Sequence, residues 1–226
     1  MLSFSGWAVE TVAASATPIV CRHRISAPGS LARAISSPPS RPMATPRRIF
    51  RIYHLVGQQA ERIRKEQLAK GETLSSTVKL LCERDAGKLL GRWGEEMQEL
   101  CGVIDGSHQD PYILEATQVF YWASLYAIVK GVDWDGLEFD RQRALATTTA
   151  YATAADLMTE VDLLVTSGPD KAVPARLFQL WNIAEQLHRR WRPSEVQPTL
   201  EEVMDYDLDE MSQRAYLQPF LERVTD

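Results

Sequence analysis

The sequence predicts an all-α fold, and three observations carry that reading. Apolar residues recur at three- and four-residue steps from Ile49 onward, helix-starting and helix-ending residues stand at the borders of those runs, and no segment alternates as a strand for more than a few residues.

From about Pro46 the two sides of a first helix separate cleanly. Ile49, Ile52, Tyr53, Val56 and Ile63 form one stripe, with Gln59, Arg62 and Lys65 on the wet side. Lys70-Gly71-Glu72 marks a turn. A second helix runs from about Ser75 to Cys82 and stops at Asp85–Gly87. A third starts near Lys88, carries Leu89, Leu90, Trp93, Met97, Leu100 and Cys101, and ends at Asp105-Gly106. Asp110-Pro111 then sets a capping carboxylate before a proline at the first helical position, and Lys130-Gly131 closes the following helix with a cation and a glycine. Glu95–Val103 and Pro111–Lys130 are therefore expected as antiparallel neighbours joined by a short loop. Further on, Leu145–Val165 reads as one long helix ending at Ser167-Gly168-Pro169, and Ala175–Trp191 as another stopped by Pro193. Thr199-Leu200-Glu201-Glu202 reads as a capping box opening a last helix.

Composition narrows the function classes. The longest apolar run, around Val119–Val129, is broken by Ser124 and two aromatic hydroxyl-bearing positions, well short of the roughly 18 residues a membrane span needs. Cys21, Cys82 and Cys101 are odd in number and show no CxxC spacing, which suits a reducing compartment and offers no disulfide framework. His23, His54, His108 and His188 are scattered without metal-ligand spacing, so each reads as a surface or partly buried structural histidine. Residues 1–48 hold six arginines against Glu10 alone, leaving 19 basic and 29 acidic residues in 49–226, a net charge of −10. An acidic body disfavours nucleic-acid polymers as partners, because phosphate neutralisation drives that binding. It suits a protein that gathers carboxylates around a divalent cation, and equally one that is simply kept soluble by its charge.

Residues 1–42 are rich in Ser, Ala, Pro and Arg and show no sustained period. They read as an organellar transit peptide, as a disordered tail, or as sequence upstream of a start at Met43. The expected division is 1–45 for this segment, 46–140 for a helical domain, and 141–226 for a helical extension. The compartment expected is the cytoplasm, or a plastid or other organelle if residues 1–42 are a transit peptide.

The residues that carry chemistry are Gly94-Glu95-Glu96-Met97-Gln98-Glu99 and, sixteen residues after Glu99, Glu115-Ala116-Thr117-Gln118. Spacings of three and four put Glu95, Glu96 and Glu99 on one side of a helix, where like charges cost about 0.2–0.5 kcal/mol per pair unless a positive charge lies between them. Glu115 and Gln118 share a face of the next helix, and antiparallel packing can bring both faces over one cavity. Such oxygen-rich clusters hold hard cations that go on to bridge substrate phosphates. Glutamates at these spacings are also common on solvated helix faces.

The chain resembles the all-α nucleotide pyrophosphohydrolases, the MazG-like and phosphoribosyl-ATP pyrophosphohydrolase superfamily, whose signature is EExxE, a spacer, then ExxD. Ser75-Ser76-Thr77-Val78-Lys79-Leu80-Leu81 is similar to the SYTAKLL segment of the phosphoribosyl-ATP branch. Arg92-Trp93-Gly94-Glu95-Glu96-Met97-Gln98-Glu99 is similar to KVGEExxE, Glu115–Trp122 to EAADLLYH, and Lys130-Gly131-Val132 to RGV. The likeness spans about residues 73–137. It implies a MazG-like helical bundle cleaving a nucleotide, either a nucleoside triphosphate or phosphoribosyl-ATP, between its α and β phosphorus atoms. It further implies Mg²⁺ (or Mn²⁺) on Glu96, Glu99, Glu115 and Gln118, with Glu95 orienting or deprotonating water. Lys79 and Arg92 are implied as contacts to substrate phosphate. Gln118 stands where the motif has aspartate, and Trp122 where it has histidine. Gln118 removes one negative charge from the site, so the resemblance also leaves room for a catalytically degenerate nucleotide-binding or protein-interaction module.

Residues 141–226 fall outside the likeness. The order Leu100–Ile104, Asp105-Gly106, a proline and a Trp-bearing helix is echoed by Leu157–Val165, Ser167-Gly168, two prolines and Gln179-Leu180-Trp181. Enzymes of this superfamily build their sites at helical dimers or larger bundles. The expectation is thus a homodimer, an internal pseudo-dimer in which the C-terminal half supplies the second subunit's packing, or an unrelated extension.

Overall fold

The computed structural model describes residues 44–148 and 151–225, and the readings made for residues 1–43 lie outside them. Among the described residues there are nine α-helices, two short 3-10 turns and no strand: α1 (Pro46–Ala69), α2 (Ser76–Glu83), α3 (Ala86–Asp105), α4 (Tyr112–Val129), α5 (Phe139–Thr148), α6 (Ala154–Ser167), α7 (Pro174–Trp191), α8 (Leu200–Ser212) and α9 (Gln218–Arg223). The all-α expectation holds for these residues. No helix among them is long and apolar enough to cross a membrane.

α1 begins where Thr45 accepts the Arg48 amide hydrogen on its hydroxyl and Pro46 fixes the first turn. Its stripe of Ile49, Ile52, Tyr53, Val56 and Ile63 is buried as the spacing requires. α4 differs in kind. It is apolar almost all round, and a helix of that composition is stable only when neighbours cover every side. α1, α3, α7 and α8 do so, and α3 forms the most extensive of these pairings. The buried hydroxyls of Thr117 and Ser124 donate back to the carbonyls of Ile113 and Phe120, so neither is left without a partner. Gly131, at φ 74°, lets the Val132 amide reach the Ala127 carbonyl and close the helix.

The last third of the chain is part of the same core. Phe178 on α7 meets the rings of Phe50, Phe120 and Phe139, and the buried Trp181 indole donates to the Ala116 carbonyl of α4 at 2.9 Å. α6 lies against α3 at Gly94, where an added Cβ would stand 2.8 Å from a Val165 methyl. The missing side chain lets the two helices approach that closely without displacing Val165. The described residues all belong to one compact unit, Arg41–Asp226.

Three boundaries differ from expectation. The run Leu145–Val165 is not one helix but α5 and α6, because Thr153 and Asp156 form a reciprocal capping box that starts a new helix at Ala154. Asp110 does not cap α4. The helix starts at Tyr112 after Pro111, without a side-chain cap, and the Asp110 carboxylate takes a hydrogen bond with His108 Nε2 at 3.1 Å. Gly87 lies inside α3 rather than before it, since Asp85 accepts the Lys88 amide hydrogen and opens the helix two residues early. The Thr199–Glu202 capping box forms as read, with both of its bonds.

Candidate metal centre

The α3–α4 hairpin brings acids from both helices to one place. Glu96 and Glu99 come from the middle of α3, and Glu115 from the first turn of α4. The connecting loop adds a residue from neither helix. The amides of Gly106 and His108 both reach back to the Gly102 carbonyl, folding residues 106–108 over the last turn of α3. Gly102 has to be small for this, because a Cβ there would meet the Cβ of His108 at 2.8 Å. Gly106, at φ 89°, turns the chain in the left-handed region, and Arg192 covers it while donating through Nε to the Ile104 carbonyl. Glu99, His108 and Glu115 each then offer one donor atom, all within 4.8 Å of one another.

Burial makes this cluster costly. Glu96 is 4% exposed and Glu115 1%, and the Oε2 atom of each is buried without a hydrogen-bond partner. Burial first, and then the Glu99 charge, pushes the Glu96 carboxyl up to about 7, with the Arg92 guanidinium and the Trp122 indole N–H pulling the other way. Burial and Glu99 raise Glu115 to about 7 as well, opposed by His108. That Glu99 acts on both, and Glu96 on Glu115, places the three carboxylates within electrostatic reach of each other. Unpartnered buried carboxylate oxygens facing like charges are stabilised by a cation, and this donor set of carboxylates plus one imidazole fits a dication.

The remaining residues singled out from sequence fall into different situations. Arg92 is at the cluster: it bonds Glu95, approaches Glu96 Oε1 at 3.3 Å, and lies over the Trp122 ring with its guanidinium carbon 5.3 Å from the centroid. Glu95 is exposed and held by Arg92. Trp122, at the position where the resembled motif has histidine, donates its indole N–H to Glu96 Oε1 at 3.2 Å and is thus a hydrogen-bonding neighbour of the acids. Gln118 is half-buried on α4, three residues beyond Glu115. Lys79 is exposed on α2 with Glu83 as its ion-pair partner at 3.8 Å, and it makes none of the contacts described at the acid cluster. His108 was not singled out. Its only sequence signal is position, in the short α3–α4 loop after Gly102 and Gly106, the glycines that let the loop fold back. No protein-family model, curated protein or solved structure matches the chain.

Proposed function

We propose that the protein is a divalent-cation-dependent nucleotide pyrophosphohydrolase acting on a nucleoside triphosphate or on phosphoribosyl-ATP, with a MazG-like arrangement of α3 and α4. The observation that carries the reading is that Glu99 of α3 and Glu115 of α4 converge with His108, with Glu96 within electrostatic reach, while Glu96 and Glu115 each keep a buried carboxylate oxygen that has no protein partner. Glu96, Glu99 and Glu115 would hold Mg²⁺ or Mn²⁺, with Gln118 next along α4. A bound dication supplies positive charge to the phosphate chain and a more acidic water. Arg92, already at the mouth of the cluster, would exchange its carboxylate contacts for a substrate phosphate. Glu95, exposed beside it, is placed to orient a water or take its proton as that water attacks phosphorus. The bridging P–O bond breaks, and pyrophosphate leaves with the electron pair.

The test is pyrophosphate release from a panel of nucleoside triphosphates and phosphoribosyl-ATP, with Mg²⁺ or Mn²⁺ and with chelator. Release that needs the ion and is lost in Glu99→Gln is the expected result. No release from any substrate with either ion sinks the proposal.

A second reading has its own observation. Arg92 and Trp122 together already satisfy Glu96 Oε1, and Gln118 brings no charge, as in a fold that kept its nucleotide site and lost turnover. On that reading the unaltered chain binds nucleotide without hydrolysing it, and Gln118→Asp gains activity.

A further inference from the structure

We infer that His108 is a ligand of this centre, completing it with an imidazole nitrogen, and that the site therefore takes a transition-metal dication in preference to Mg²⁺. The inference rests on the metal-centre part of the reading above and adds a residue and an ion class to it.

Three observations converge on His108. Its ring borders the space an ion would fill, since its donor atom and those of Glu99 and Glu115 lie within 4.8 Å of each other. Nε2 is the nitrogen that faces the acids, 3.1 Å from Asp110 Oδ2 and 3.5 Å from Glu115 Oε1. A proton on Nε2 is thus shared between two carboxylates, and an ion bound there takes the proton's place. The position is also built. The His108 amide is tied to the Gly102 carbonyl at 3.0 Å, the Ser107 amide is tied to Asp105 at 2.9 Å, and Gly102 leaves room only for that path. Independently of these, Glu115 Oε2 is buried and unpartnered beside the ring, as is Glu96 Oε2 on the facing helix.

The chemistry of the donor set selects the ion. Mg²⁺ favours an all-oxygen octahedron and keeps its waters, whereas imidazole is a good donor for Fe²⁺, Ni²⁺, Cu²⁺ and Zn²⁺, and Mn²⁺, though it also favours oxygen, accepts an imidazole nitrogen in a mixed donor set. With Gln118 neutral, nitrogen coordination is a way to regain affinity that does not need a fourth negative charge.

The rival role for His108 is a plain counter-cation for Glu115 and Asp110, and it predicts the opposite sign. Removing a competing cation raises dication affinity, while removing a ligand lowers it. The deciding experiment titrates the full chain with Mn²⁺ alone, by calorimetry and by pulsed electron paramagnetic resonance. We expect one Mn²⁺ with a directly coordinated ¹⁴N coupling. In His108→Ala that coupling disappears and Mn²⁺ affinity falls by about 10–100-fold, a loss in the range seen when the ligand environment of a metal is damaged, with a smaller change for Mg²⁺. Bound Mn²⁺ with no nitrogen coupling, or affinity unchanged or raised in His108→Ala, overturns the inference. If His108→Ala does not fold, the coupling in the unaltered chain decides alone. Mn²⁺ bound with nitrogen coupling but no pyrophosphate released from any nucleotide leaves the ligand assignment standing and removes the hydrolase. Pyrophosphate released without nitrogen coupling does the reverse.

Discussion

Two buried acidic sites in this protein look alike at first and differ in what surrounds them. Asp207 on α8 is 4% exposed, has one unpartnered oxygen, and is pushed up to about 7 by burial, as are Glu96 and Glu115. Yet Asp207 is compensated by the protein itself. Tyr53 donates to its Oδ1 at 2.8 Å, and the Arg214 charge lies close enough to pull its pKa down. Tyr121, paired with Thr77, and Tyr216, paired with Ser75, complete a polar cluster among α1, α2, α4 and the α8–α9 turn. At the α3–α4 site Arg92 and His108 offset part of the charge on Glu96 and Glu115, but the other charges acting on the two acids are carboxylates. A single buried acid with a tyrosine donor and a nearby arginine is accounted for within the protein. Several acids facing each other, with oxygens left over, fit the cation proposed above.

The comparison can be broken most directly at Glu115. Glu115→Gln should cost at least about 100-fold in Mn²⁺ affinity by calorimetry, while raising the thermal midpoint measured in chelator, because a costly buried charge is removed. If the midpoint falls and metal affinity is unchanged, the two sites are of one kind.

Next in size is the response to metal. Mn²⁺ at 100 times its dissociation constant should add about 2.7 kcal/mol to unfolding stability. Glu99→Gln should abolish that gain in denaturant titrations, and Asp207→Asn should leave it intact.

The third concerns Tyr53. Tyr53→Phe leaves the buried Asp207 with neither oxygen bonded by a hydroxyl and should destabilise by about 1–3 kcal/mol. The sign with pH follows from the raised carboxyl. Asp207 gives up its proton less readily folded than unfolded, so its favourable term is fully present below pH 4 and is lost as pH rises towards about 7. Unfolding in chelator should therefore show lower stability at pH 8 than at pH 5, and Asp207→Asn should flatten part of that slope. Glu96 and Glu115 contribute with the same sign, and added Mn²⁺ should remove their share only.

The smallest effect sharpens the packing beside the cluster. Gly94→Ala gains about 1 kcal/mol of helix propensity but forces a methyl against Val165, an overpacking cost of about 1–3 kcal/mol. The net loss should be about 1 kcal/mol, and Val165→Ala in the same chain should recover it.

How much was legible beforehand follows the range of the interactions involved. The α1 stripe, the ends of α3 and the Thr199 box depend on residues within a turn or two, and period and capping rules reach that far. Glu96, Glu99 and Glu115 are singled out on helical spacing together with the resemblance, and the α3–α4 hairpin brings them within electrostatic reach of one another. The break between α5 and α6 was missed because its capping box uses aspartate at the third position and sits in an otherwise helical composition. The place of His108 beside Glu115 was not legible for a deeper reason. Nothing adjacent in sequence marks it as a donor, and its place depends on Gly102 and Gly106 folding a loop back over α3. Asp110 read as a cap because the local rule is satisfied by Asp-Pro, while the structure spends that carboxylate on the imidazole two residues before it.

The indole of Trp181 reaches the carbonyl of Ala116, the residue that follows Glu115. Random mutagenesis selected for loss of turnover should for that reason return substitutions in α7, more than sixty residues downstream of the acids, among its inactive clones. Those clones would keep every carboxylate and imidazole of the cluster intact in sequence and fail because the turn of α4 that aims Glu115 has lost the strut behind it.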